Sequence, residues 1–136
     1  MTFDRLPSKE RYLALECDGF KLYTSEVRHM IPTIGMRFEF TDTGKVVTYS
    51  CDTAPCDEVV RLGADSDILI HEASGAFLGH SSSKQAAEIA LRAKAKKLCL
   101  IHYPTGNYWE DSALTDAQEV FGDDVFLAKD MMELNF

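Results

Sequence analysis

At 136 residues, 46% of them apolar, the chain can build one small domain with a single core and is too evenly mixed to be a disordered segment. A formal net charge of −8 argues against a nucleic-acid surface, where Lys and Arg facing phosphates carry most of the affinity. No apolar run approaches the roughly 20 residues of a membrane-spanning helix, so no membrane partner is expected. The polar stretch Met1 to Glu10 lacks the apolar core of a secretory signal, and the cytoplasm is the expected location. Cys17, Cys51, Cys56 and Cys99 show no C-x-x-C spacing, which fits reduced, mostly buried thiols better than a disulfide framework.

The first elements read as antiparallel strands. Tyr12 to Cys17 and Lys21 to Val27 are short runs of alternating or β-branched character joined by the turn pair Asp18-Gly19. Met36 to Thr41 and Lys45 to Ser50 make a second hairpin around Asp42-Thr43-Gly44, and Pro32 and Gly35 punctuate the link between the two hairpins. A short helix is expected at Asp57 to Leu62. Beyond it, Asp67 to Ile70, Leu98 to Ile101 and Val125 to Ala128 are continuous apolar runs, as in strands buried on both faces. Between the first two of these, Ala86, Ala87, Ile89, Ala90 and Ala93 form one apolar helical face, with Ser82 or Ser83 as N-cap. A last helix is expected around Thr115 to Phe121. The basic cluster Arg92, Lys94, Lys96 and Lys97 lies near a helix end, where cations favour the macrodipole. With no repeat and no linker, residues 1–136 read as one α/β domain, a sheet with helices on at least one face.

The four histidines are the informative polar residues. His29 follows the second strand, His71 and Glu72 close the first buried strand, His102 closes the next, and Asp52 stands in the same relation to the strand before it. Strand ends in open α/β sheets collect sites because loops converge there on a rigid frame. Neutral imidazole with carboxylate is a ligand set for zinc, manganese or iron. Taken singly, a histidine at a strand end is more often a hydrogen-bonded loop residue, and Asp52 before Thr53 and Pro55 reads equally as a turn or helix cap.

Several motifs in order raise the metal reading. Tyr49-Ser50-Cys51-Asp52-Thr53-Ala54-Pro55 resembles the YSGDT-x-P segment of metallo-β-lactamase-fold hydrolases, the ribonuclease Z-like branch above all. Ile70-His71-Glu72-Ala73 resembles that branch's HEAT segment, Gly79-His80-Ser81-Ser82 with Gln85-Ala86-Ala87 its HST…AA segment, and Leu100-Ile101-His102 its LTH segment. Val27-Arg28-His29 with Ile34-Gly35-Met36-Arg37 is similar to the V-x-H…GYR stretch, and Ala128 to Glu133 to the family's last strand. The resemblance runs from about Phe20 to the C-terminus.

It implies an α/β fold amounting to the C-terminal half of a metallo-β-lactamase αββα sandwich, a mixed sheet with helices on one face. It implies a dinuclear metal site, most simply Zn2+ with Mn2+ or Fe as alternatives, in which His29 binds one metal, His102 the other and Asp52 bridges them. His80, oriented by Glu72, would serve catalysis at the scissile group of a phosphodiester or related ester. The family's H-x-H-x-D-H segment is absent from this sequence, so the remaining ligands are expected from a missing N-terminal half. Half of a sandwich would expose an apolar sheet face, so assembly through that face is expected, a homodimer being the commonest closed solution. The alternative is a non-catalytic dimerising or metal-binding half-domain that needs a partner. The tight turn at Asp42 to Lys45 stands where ribonuclease Z enzymes insert the arm that grips transfer RNA. Together with the acidic charge, this makes tRNA an unexpected substrate and a small ester or phosphodiester the expected one.

Overall fold

The computed structural model describes residues 6–134. The polar N-terminal stretch read above lies partly outside the described residues. Seven strands form one sheet in sequence order: β1 (Tyr12–Cys17), β2 (Phe20–Val27), β3 (Thr33–Phe40), β4 (Val46–Tyr49), β5 (Ile68–Glu72), β6 (Lys97–Ile101) and β7 (Val125–Leu127). Pairing is antiparallel from β1 to β4 and parallel from β4 to β7. The parallel strands are joined through α1 (Asp57–Leu62), α2 (Ser83–Ala93) and α3 (Asn107–Phe121). Each crossover advances one strand in the same direction, and right-handed crossovers of that kind place all three helices on one face. The mixed α/β sheet with helices on one side agrees with expectation.

Register separates the two faces. Thr48, Leu69, Leu98 and Val125 are cross-strand neighbours on the helix side, and all are buried. They join Val59 of α1, Ala86, Ile89 and Ala90 of α2 and Ala117 of α3 in the core. Small residues dominate the inner face of α2, which lets that helix approach the sheet closely. Its start is a capping box: Gln85 N–H donates to Ser82 Oγ at 3.3 Å while Ser82 N–H donates to Gln85 Oε1 at 2.9 Å, so Ser82 rather than Ser83 is the cap.

The opposite face carries Leu22, Met36, Phe38, Tyr49, Ile70 and Phe126, all only half-buried. Its apolar side chains have no helix over them among the described residues.

Four expectations need correction. Gly35 lies inside β3 instead of in the link. A Cβ there would stand 2.9 Å from Leu62 Cδ2, so the glycine makes room for α1 against the sheet. Residues Ala128 to Glu133 follow the last strand rather than forming it; they turn back with Met132 N–H donating to Lys129 O at 3.0 Å. Helix α3 starts at Asn107, a full two turns before Thr115, because exposed Tyr108 and Trp109 obscure its apolar stripe. Cys17 is exposed, while Cys56 and Cys99 are buried as expected and all four thiols are free. Burial lifts the Cys99 thiol to about 11, so it stays protonated at neutral pH.

At the end of the sheet away from the strand C-termini, buried Asp67 accepts from Val46 N–H at 2.8 Å and from Lys96 at 2.8 Å. Arg92 pairs with Asp57 and Lys96 with Asp67, so two of the four clustered cations are committed to neighbouring carboxylates.

Candidate metal centre

The sheet's direction brings the polar residues to one end. Two antiparallel steps, β2 to β3 and β3 to β4, restore the original direction, so β2 points the same way as β4, β5 and β6. His29 follows β2, Asp52 follows β4, Glu72 ends β5, His80 lies in the loop from β5 to α2, and His102 follows β6. All five therefore meet at the carboxyl ends of the strands.

Three imidazoles converge there, and each has its Nδ1 engaged. His29 Nδ1 lies 2.8 Å from the Gly79 carbonyl, His102 Nδ1 lies 3.0 Å from Asp52 Oδ1, and His80 Nδ1 lies 3.1 Å from Glu72 Oε1. Carbonyl and carboxylate oxygens only accept, so in all three rings Nδ1 carries the proton. A neutral ring held this way presents its Nε2 lone pair, the atom a metal takes when the other nitrogen is held by an acceptor. The His29 and His80 ring centres are 4.8 Å apart and those of His80 and His102 5.7 Å, so the His80 ring packs against both of the others. Ligand atoms of His29, Asp52 and His80 all lie within 4.8 Å of one another, and the same holds for Glu72, His80 and His102. Asp52 and His102 touch directly, but His80, not His102, completes a compact set with His29.

Glu72 is fully buried and its carboxylate is saturated. Oε1 accepts from the backbone N–H of Thr53 at 3.2 Å and of Ser81 at 2.9 Å as well as from His80, and Oε2 accepts from Ser74 N–H and Oγ, both at 2.9 Å. Five donors fill its acceptor sites and orient His80; Ser74 Oγ, 2.9 Å from His80 Nδ1, shares that proton. Sequence reasoning found Glu72 and His80 but missed Ser74. It also missed the roles of Thr53 and Gly79. Buried Thr53 ties three loops together: Oγ1 accepts from Arg28 N–H at 3.1 Å, its N–H meets Glu72, and its carbonyl accepts from Ser81 Oγ at 2.7 Å. Gly79 adopts φ +80°, and a Cβ on it would stand 3.0 Å from His29 Nδ1. The Gly-His pair was visible in sequence; the fifty-residue reach to His29 was not.

His71 lies elsewhere. It points to the helix side, fully buried, with Nδ1 2.7 Å from the Glu72 carbonyl and no partner for Nε2. Burial lowers its pKa, so it is neutral.

The backbone is held in uncommon conformations beside the site: Cys51 has φ +53° and His102 φ +54°, both in the left-handed region that side chains disfavour. The Cys51 thiol is half-buried, and its pKa is raised by burial and by the charge of Asp52, which fits a packing residue better than a thiolate ligand. On the solvent side an open trough of about 400 Å³ beside His29 is lined by Arg28, Met30, Ala54, Leu78 and Gly79. The side chains of His102 and Asp52 are 53% and 37% exposed, so the site is open to whatever lies above it. Imidazole Nε2 atoms with a carboxylate form a donor set suited to a borderline divalent cation.

A seven-stranded mixed sheet with helices on one face and this strand-end cluster define a metallo-β-lactamase-type α/β unit. The chain belongs to the beta-lactamase superfamily domain family, which it matches over residues 11–103. It is 32% identical to the ribonuclease Z of Picrophilus torridus over 116 residues, covering 75% of this chain and 37% of that protein. It is 42% identical to the ribonuclease Z of Bacillus licheniformis over 93 residues, covering 60% of this chain and 30% of that one. Among solved structures it resembles the metallo-β-lactamase fold protein YhfI of Bacillus subtilis, with a TM-score of 0.75 at 30% identity, over 85% of this chain and 49% of that one. Human tRNase Z, short form, gives a TM-score of 0.67 at 25% identity over 88% and 44%. The chain thus spans about a third of the length of the curated relatives it matches. Membership of this superfamily implies use of a divalent metal.

Proposed function

We propose that this chain is one domain equivalent to the C-terminal half of a metal-dependent hydrolase, and that it supplies His29, Asp52 and His102 to a dinuclear site that acts on a phosphodiester or related ester. The observation that carries this reading is the convergence of three Nδ1-protonated histidines and Asp52 at one end of the sheet. His29 would hold one ion and His102 the other. Asp52 would lie between them, since a carboxylate offers an oxygen to each and its charge offsets their repulsion. Zn2+ suits the donors, and Mn2+ or Fe share them.

A divalent cation bound here would polarise the phosphoryl group and acidify a water molecule. The chain's own contribution is proton handling. His80, carrying a proton on Nε2, would donate it to the departing oxygen, while the carboxylate of Glu72 would stabilise the imidazolium and fix the ring. The remaining ligands of a two-metal site would come from an N-terminal half, as a separate segment or chain. The expected location is the cytoplasm, and no helix among the described residues is long and apolar enough to cross a membrane. A small ester fits better than tRNA, because β3 and β4 are joined by a tight turn in which Gly44 N–H donates to Phe40 O at 2.9 Å.

Metal analysis after equilibrium dialysis tests the assignment. Zinc or manganese should bind near stoichiometrically, and His102→Ala should lower its affinity by about 10-fold or more. Absence of bound metal, or no change in the variant, would defeat it. A second reading, a half-domain that binds a partner without catalysis, is favoured by the uncovered apolar sheet face. Hydrolysis of bis-p-nitrophenyl phosphate separates the two, and this chain alone is expected to be weak or inactive.

A further inference from the structure

We infer that the chain by itself holds a single divalent ion between His29 Nε2, Asp52 and His80 Nε2, so that His80 is a metal ligand in this state. The inference rests on the metal reading above but changes the ligand set for the isolated chain.

Two compact ligand groups exist among the described residues, and the hydrogen bonding decides between them. The set Glu72, His80 and His102 requires an oxygen of Glu72. That carboxylate already receives five donors, four of them from Thr53, Ser74 and Ser81, and lies buried with no exposed surface. A carboxylate offers about four lone-pair sites, so binding an ion would break bonds that no solvent can replace. The set His29, Asp52 and His80 breaks none. His29 and His80 have their Nδ1 protons already placed on Gly79 O and on Glu72 with Ser74, and Asp52 spends only Oδ1 on His102.

The arrangement of Glu72 behind His80 is that of a carboxylate orienting a metal-binding imidazole, which raises ligand basicity and fixes the ring. Gly79 O does the same for His29, and His102 does it for Asp52. Every proposed ligand therefore has its outer partner in place before an ion arrives. Three protein donors leave a position for an outside ligand, the count found in catalytic zinc sites. One consequence follows for His80: a single Nε2 lone pair serves either an ion or a proton. An ion held this way silences the proton-donating role until further ligands draw it away.

The test uses the full chain, stripped of metal and titrated with ZnCl2 while long-range 1H–15N spectra of the histidines are recorded. One equivalent should shift Nε2 of His29 and His80 and leave Nε2 of His102 and His71 in place. In parallel, CoCl2 titration followed by visible absorption should show His80→Gln weakening binding by about 100-fold or more, and His102→Ala, which acts only through Asp52, by about 10-fold. The spectra need no substitution, so a misfolded variant does not blur the outcome. A shift at His29 and His102 with His80 unmoved would overturn this inference and leave the proposed function standing. Failure of the wild-type chain to bind either ion would overturn both.

Discussion

Cys51 stands where the family's corresponding segment has glycine, and its φ of +53° explains the family's preference. A side chain in the left-handed region costs roughly 1–2 kcal/mol, while glycine adds about half of that in unfolded-chain entropy. Cys51→Gly should therefore stabilise the fold by about 1 kcal/mol, read as an increase in urea midpoint at unchanged slope. A loss of stability would mean that thiol packing beside Asp52 outweighs the strain. His71 gives the residue scale a pH signature. Its folded pKa lies below the ordinary 6.5 because of burial, so at acid pH the unfolded chain takes up a proton that the folded chain refuses. Its contribution is intact above about pH 6.5 and is lost as pH falls below that value, at no more than about 1.4 kcal/mol per pH unit for one proton. His71→Asn, which keeps a donor for the Glu72 carbonyl, should flatten the decline in stability between pH 7 and 5. An unchanged slope would show that other groups set it.

At the scale of elements, the contact between α1 and β3 rests on one missing methyl group. Gly35→Ala would place Cβ 2.9 Å from Leu62 Cδ2 and 3.3 Å from both Tyr49 O and Val27 Cγ1. Overpacking of this kind costs about 2 kcal/mol, and a thermal melt of the variant should show it. A melt matching wild type would mean α1 shifts freely. The same contact is secured by buried Arg37, whose guanidinium donates to Leu62 O at 2.9 Å, to Ala64 O at 2.8 Å and to Glu39 Oε1 at 2.7 Å, closing the C-terminal end of α1. Element type was legible from periodicity almost throughout: the two hairpins, the three apolar strands and α2 with a serine cap all lie where alternation, apolar runs and capping residues put them. The start of α3 was not, because Tyr108 and Trp109 point to solvent and break the stripe on which a helix is recognised. Gly35 misled for the opposite reason: glycine signals a turn locally, and only the approach of a distant helix makes it a strand residue.

At the scale of the molecule, helices cover one face of the sheet and leave the other to Leu22, Met36, Phe38, Tyr49, Ile70 and Phe126. Contiguous apolar surface of this kind is uncommon on a stable monomer. Sedimentation at micromolar concentration should show a dimer or larger assembly for the chain alone, and Phe38→Glu should shift it toward monomer. A wild-type monomer at that concentration would sink the assembly proposal. The sequence by itself determined most of the elements, the family and the strand-end positions of His29, Asp52, Glu72 and His102, because each depends on patterns within a few residues. Only the tertiary structure decided which nitrogen of each ring is engaged, that Glu72 is saturated, that His80 packs against both His29 and His102, and that His71 turns away. Those facts depend on hydrogen bonds between loops as much as fifty residues apart, which sheet order and strand direction set and which no local pattern encodes.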